Sequence, residues 1–282
     1  MNNFELYKLK KAGLTNLNIL NLIDYQQRNN KSLSLRDIAV VSCCKNPVLF
    51  IETYKQLNVA LLKKEFNQFP SLSILDKQYP LALREIYNPP VLLFYQGDLS
   101  LLEKKPKLAV VGSRESSEIG TRSVYKIIKE LKNHFVIISG LARGIDTSAH
   151  LACLKAGGQT IAVIGTGLDR YYPKENRQLQ EFLSQRHLVL SEYGAGEAAL
   201  SYHFPERNRI IAGLSRGVLV VEAKQRSGSL ITCQLAMEEG RDIFVVPDNI
   251  LNGTSAGCLK LIKDGASCVT HGRDILSEYH YS

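Results

Sequence analysis

A chain of 282 residues that is 45% hydrophobic has enough apolar side chains for one large folded unit with a smaller one attached, which excludes a disordered polyelectrolyte. The net charge of +8 is unevenly placed: the first 66 residues hold ten basic and five acidic side chains, leaving 25 and 22 for the rest, so any polyanion must be met by a local basic face rather than a general positive field. No run approaches the roughly 18 apolar residues that span a bilayer, and MNNFELYKLKK lacks an apolar signal region, so a cytoplasmic protein without membrane insertion is expected.

In chain order, residues 1–66 show helical spacing (Phe4, Leu6, Leu9, then Leu17, Leu20, Ile23) and no strand alternation, which predicts a small all-α domain. Residues 67–107 are punctuated by Pro70, Pro80, Pro89, Pro90 and Pro106, with one strand-like run at 91–95; they read as a connector with an extra strand leading into a sheet. From 108 to 282 the pattern changes. Short apolar β-branched runs at 108–112, 135–140, 160–165, 188–191, 217–223 and 242–247 alternate with helical stretches at 118–132, 146–156, 175–186 and 229–239. Nearly continuous apolar strands separated by helices predict an α/β fold, a Rossmann-like doubly wound and mainly parallel sheet covered on both faces. Ligands of such folds sit beyond the carboxyl ends of the strands.

Those strand ends combine glycine, hydroxyl and arginine: Gly112, Ser113 and Arg114; Gly140, Arg143 and Gly144; Gly165 and Gly167; and Arg226, Ser227, Gly228 and Ser229. Glycine lets backbone amides approach an anion while a guanidinium forks onto it, so the composition points to phosphate. The same glycines and serines also suit tight turns and helix caps. Tyr172 with Lys174 and Asn176, and Phe204 with Asn208 and Arg209, interleave aromatics with cations and amides, as a groove for unpaired bases requires; core packing is the other reading of each ring. Of Arg207 and Arg209, two apart at a helix start, one is expected in the groove, and Arg209 with Asn208 is the choice. Arg226 is expected to orient the following turn, and Glu222 to ion-pair with a neighbouring cation.

Other chemistries fit poorly. There is no GxxxxGK[ST] for nucleoside triphosphate, and GTGLDR lacks the third glycine of a dinucleotide fingerprint. The GxSxG at 213–217 has a helix before it and a strand after it, the reverse of a nucleophile elbow. The six cysteines, with no CxxC and one adjacent pair, read as small buried residues, and His150 as helix packing, so no metal or cofactor is expected.

Taken together, VVGSR (110–114), SGLARGIDTSAH (139–150), AVIGTGLDRYYPKEN (162–176), SEY (191–193), FPERNRIIAGLSRGVLVVEAKQRSGSLITCQLAMEEGR (204–241) and VVP (245–247) closely resemble the DNA-processing protein A family, DprA/Smf. The amino-terminal region is similar to the sterile-alpha-motif (SAM)-like domain of streptococcal members. The resemblance implies a non-enzymatic single-stranded DNA-binding protein of natural transformation that protects incoming strands, loads the recombinase RecA and acts as a homodimer. By motif it places Arg114 at the centre of the DNA pocket with Lys174 as a second cation, lined by Gly140, Arg143, Asn208, Arg209 and Ser227 to Ser229. Arg143 stands where many members have lysine. Two other readings remain open: a phosphoribohydrolase-like nucleotide enzyme, against which QRSGSL lacks the PGGxGT stretch, and a RecA scaffold whose cations meet an acidic protein face. At the carboxyl end, Leu259, Leu261 and Ile262 among lysines are expected to form a symmetric dimer contact.

Overall fold

The computed structural model describes residues 1–29, 32–225, 227–250 and 256–281. Five helices come first: α1 (Asn3–Lys11), α2 (Asn16–Asn29), α3 (Leu35–Val41), α4 (Pro47–Gln56) and α5 (Val59–Phe66). Their starts are written in the sequence. Asn2 and Glu5, and Ser34 and Asp37, form capping boxes; Asn46 and Asn58 cap α4 and α5, with Pro47 opening α4 where its missing N–H leaves no acceptor wanting.

After them run β1 (Ser71–Ser73), α6 (Leu81–Arg84), β2 (Leu92–Gly97), α7 (Leu101–Lys104), β3 (Lys107–Gly112), α8 (Glu118–Glu130), β4 (Val136–Ser139), α9 (Ile145–Lys155) and β5 (Thr160–Ile164). A 3-10 turn (Lys174–Asn176) then leads to α10 (Arg177–Arg186), β6 (Leu188–Ser191), α11 (His203–Leu214), β7 (Gly217–Val221), α12 (Gly228–Glu238), β8 (Asp242–Val245), α13 (Ala256–Lys263), β9 (Ser267–Cys268) and α14 (Gly272–Glu278).

One nine-stranded sheet takes the order β1-β2-β6-β5-β4-β3-β7-β8-β9. The pairs β1/β2 and β2/β6 are antiparallel and all others parallel, with Ala109 opposite Ile138 on one side and Val218 on the other. The fold is the expected α/β one, a Rossmann-like mainly parallel sheet with an all-α amino-terminal domain. Strands β4, β5, β6 and β7 are buried at every position, so their side chains alternate between two cores rather than between core and water. In β3, Leu108 and Val110 join a core with Ile127 of α8, Leu131 just after it and Leu276 of α14, whereas Ala109 and Val111 belong to the opposite core, which also holds Leu183 of α10, Ile210 of α11 and residues of the amino-terminal helices. The order reverses between β3 and β7: the chain winds from β3 outward to β6, then returns to start again at β7. That switch point opens a crevice at the carboxyl ends of the strands.

Two sequence expectations change here. Of the cysteines only Cys153, Cys233 and Cys258 are buried, while Cys43 and Cys268 are exposed. Leu261 is 8% exposed and packs with Cys258 in the chain's own core, and Ile262 lies partly buried against the same cluster. Leu261 is therefore not presented for a partner, because α13 turns that side inward; Leu259 is half-buried. His150 is wholly buried, its Nδ1 2.7 Å from Thr160 Oγ1, and burial pushes its pKa down to about 3, so it packs as a neutral ring.

Candidate nucleic-acid interface

A cleft of about 660 Å³ occupies the switch point. Gly112, Ser113 and Arg114 enter it from the end of β3, Lys224 from the end of β7, Ser227 to Ser229 from the start of α12, Phe204 and Asn208 from α11, and Tyr172 from the loop after β5. Nine of the fifteen residues expected in the interface thus share one wall-to-wall site.

The loops are held by backbone constraints that glycine alone meets. Gly144 adopts φ +72°, and a Cβ there would fall on the Ser113 carbonyl, which accepts the Ile145 amide at 3.0 Å. At Gly112 a Cβ would strike the Val221 carbonyl and the Ile145 side chain, so β3, β7 and α9 converge there closely enough to exclude any larger residue.

Two buried carboxylates serve as internal struts. Asp146 accepts from the amides of Gly140 at 3.1 Å and Ala142 at 3.3 Å, and burial holds its pKa above the usual range. The expectation that this loop offers those amides to an anion is therefore corrected: they are taken. Glu222, in the left-handed region at φ 54°, accepts from the Ser117 amide at 2.9 Å and from its hydroxyl; among the described residues it caps α8 rather than ion-pairing.

The cations divide by burial. Arg207 is 4% exposed; its guanidinium donates to the carbonyls of Gly140, at 2.5 Å, and Val163, tying the ends of β4 and β5 to α11. Burial lowers its pKa to about 10, which leaves it charged at neutral pH. Among the described residues lining the cleft, Arg114 and Lys224 are the solvent-facing cations. Arg114 lies 5.5 Å from the Phe204 ring centroid, and Lys224 meets Glu115 only loosely, at 3.9 Å with both side chains exposed. The Phe204 ring centroid in turn lies 5.1 Å from that of Tyr172, a residue 48% exposed. At the start of α12, an eleven-residue helix, the Leu230 amide donates to Ser227 O at 3.1 Å, while the amides of Gly228 and Ser229 precede any intrahelical acceptor, and the space beside Gly228 is open among the described residues. Cation, ring pair and helix amino terminus together suit a phosphate with an unpaired base beside it.

Six expected residues lie outside the cleft lining. Arg209 turns away: its Nη2 pairs with Glu192, and the side chain is 11% exposed, so the expectation that it faces the groove is corrected in favour of Arg207. The signal was present in the spacing, because Phe204, Arg207, Asn208 and Ile211 fall at i, i+3, i+4 and i+7 on one helical face. Asn176 is buried and donates to Leu141 O, Ala142 O and Thr147 Oγ1, shaping the loop from behind. Gly140 leaves room for the Arg207 guanidinium, and Gly144 caps α9. Arg143 is exposed and pairs with Glu175 at 2.5 Å; Lys174 is exposed on the 3-10 turn. Arg226 lies outside the described residues. Arg207, Lys224, Asp146 and Glu115 also line the cleft; of these, Glu115 carries no signal in the sequence reading.

Residues 71–280 match the model of the family described as DNA recombination-mediator protein A. The chain belongs to that family. Residues 1–62 match the DNA processing protein A sterile alpha motif domain. Across 279 residues, 99% of both chains, it is 60% identical to DNA processing protein DprA of Streptococcus pneumoniae, and the X-ray structure of that protein superposes with a TM-score of 0.96 at 59% identity, covering 99% of this chain and 98% of the other. It is 41% identical to DNA processing protein DprA of Bacillus subtilis over 83% of this chain and 84% of the relative. A DNA processing protein A structure from Helicobacter pylori, described as showing a single-stranded DNA binding mode, matches with a TM-score of 0.68 at 29% identity over 76% of this chain and 99% of that one. No helix among the described residues is long and apolar enough to cross a membrane.

Proposed function

We propose that this family member is a sequence-tolerant single-stranded DNA-binding protein of natural transformation, acting in the cytoplasm without catalysis of its own, which protects incoming strands and loads RecA on them. The observation that carries the reading is the juxtaposition of Arg114 and Lys224 with the α12 amino terminus and the Phe204–Tyr172 ring pair in one open cleft. Backbone phosphate would meet the cations and amides, and an unstacked base the rings; neither contact reads sequence. The strand-binding description of the Helicobacter pylori relative supports it, and the recombination-mediator description of the family supports the RecA step. Units 1–66, 67–107 and 108–282 remain the proposed division of labour, with Lys174 and Arg143 extending the strand path beyond the cleft. A homodimer would use the half-buried Leu259 and Ile262 of α13.

Fluorescence anisotropy of labelled oligo-dT at two salt concentrations tests the binding. Affinity should fall along log salt with a slope of about −0.7 per phosphate contact, and duplex should compete poorly because its bases are stacked. Equal competition by duplex refutes the groove reading. RecA filament nucleation on strands coated with single-strand-binding protein tests the loading step, and sedimentation of Ile262→Arg tests the dimer.

A further inference from the structure

The helical domain does not merely abut the sheet. One face of α1, at i, i+3 and i+4, carries Tyr7, Lys10 and Lys11, and all three hold the segment between β6 and α11. Lys10 Nζ pairs with Glu192 Oε1 at 2.8 Å, and Lys11 Nζ with Glu197 Oε2 at 3.0 Å. Tyr7 fits against Gly194 so closely that a Cβ there would overlap its hydroxyl. Asn16 of α2 adds a bond from Nδ2 to Glu192 Oε1 at 2.7 Å, and its Oδ1 accepts from Lys10 at 3.2 Å. The other oxygen of Glu192, whose side chain is 4% exposed, accepts from Arg209 of α11. The same segment supplies Ala199 and Ser201 to the cleft and runs directly into Phe204, Arg207 and Asn208. Glu192 is thus gripped by the amino-terminal domain on one side and by the back of the cleft's own helix on the other.

We infer that Lys10 and Lys11 are positioning residues for the strand-binding cleft, acting through Glu192 and Glu197 to fix α11 and the segment before it. This rests on the strand-binding reading above. Neither lysine lines the cleft, so their effect on strand affinity must come through the placement of Phe204 and Asn208 rather than through phosphate contact. Anything that engages the amino-terminal domain and disturbs this face of α1 would alter strand affinity by the same route.

The test uses the full chain with Lys10→Met, Lys10→Arg and Lys11→Met, measuring oligo-dT affinity across salt, the urea midpoint and hydrogen exchange of residues 203–214. Lys10→Met is expected to weaken binding by about five- to tenfold with the salt slope unchanged, to speed exchange in α11, and to be largely rescued by arginine. A merely structural role would lower the urea midpoint while leaving the affinity of the folded protein as it was, and that result overturns the inference. So does a weaker affinity accompanied by a slope reduced by one contact, which would make the lysine a direct phosphate ligand. Lys11→Met, at a more exposed position, decides the question in the same way if Lys10→Met does not fold. If wild type binds no strand, the strand-binding reading fails on its own, and α11 exchange alone then decides whether α1 positions the helix.

Discussion

Two arginines of the same cleft should respond to mutation in opposite ways. Arg207 is buried and donates to two carbonyls, so Arg207→Met strands Gly140 O and Val163 O away from water. Hydrogen bonds from a charged donor contribute about 1.5–3 kcal/mol each, and part of that is offset because methionine also removes the desolvation of a buried guanidinium. A net loss of about 2–4 kcal/mol is expected, which at about 2–4 °C per kcal/mol for a chain of this size is a fall in Tm of roughly 5–15 °C. Arg114 is exposed, and its contact with Phe204 is a cation–π one contributing about 1 kcal/mol or less. Arg114→Ala should therefore leave the urea midpoint nearly unchanged while weakening oligo-dT binding by about tenfold to a hundredfold, the value of one charge-assisted phosphate bond, with the salt slope reduced by about 0.7. Urea melts followed by circular dichroism and anisotropy on the folded variants separate the two effects. If Arg207→Met melts with wild type, or Arg114→Ala loses stability comparably, the division of the cleft into a buried clamp and an open ligand is wrong.

Three other outcomes follow from the same geometry. Gly144→Ala must place a Cβ on the Ser113 carbonyl at a positive φ, so at least about 1–3 kcal/mol of backbone strain is expected, together with weaker strand binding as the Arg114 loop shifts; a variant like wild type in both melts and anisotropy refutes this. Leu261→Arg puts a charge into the chain's own core and should lower the thermal midpoint sharply rather than yield a well-folded monomer, as circular dichroism will show. Burial alone would raise the Glu192 pKa, but Lys10 and Arg209 outweigh it and draw it from the usual 4.5 to about 2. Because the folded value lies below the unfolded one, this stability, about 3 kcal/mol at about 1.4 per pK unit, is full above pH 4.5 and is lost as pH falls towards 2; Glu192→Gln should flatten that part of the acid-unfolding curve.

The central sheet was legible because strands β3 to β8 are largely apolar on both faces, a pattern that survives without knowledge of neighbours, whereas β9, two exposed residues, carries no such signal; helix starts were legible because Asn, Ser and Pro mark them locally. Strand order was not written in any window, and neither was the switch point that decides which loops meet. That is why the glycines and hydroxyls at the ends of β3 and β7 were found together while Lys174 and Arg143, at the end of other loops, lie outside the cleft lining. Arg209 went astray for a different reason. Its partner Glu192 lies 17 residues earlier, just past β6, and is shared with Lys10 of the amino-terminal domain; helical spacing within α11 records neither contact.

The density of cations between residues 207 and 224 illustrates why charge counted along a chain is a poor map of a phosphate site. Arg207 closes the ends of two strands, Arg209 answers a carboxylate at the domain junction, and Arg216 lies 4.1 Å over the Tyr279 ring at the other end of the sheet. Lys224 alone of these four stands open at the cleft rim, where it joins Arg114 from a strand more than a hundred residues away. A guanidinium already engaged by carbonyls or a carboxylate has little to gain from a strand phosphate, whereas an exposed one exchanges water and counterions for it. On the proposed reading, a strand would meet at least Arg114, Lys224 and the α12 amino terminus in this cleft, while Arg207 and Arg209 tie together the elements around it.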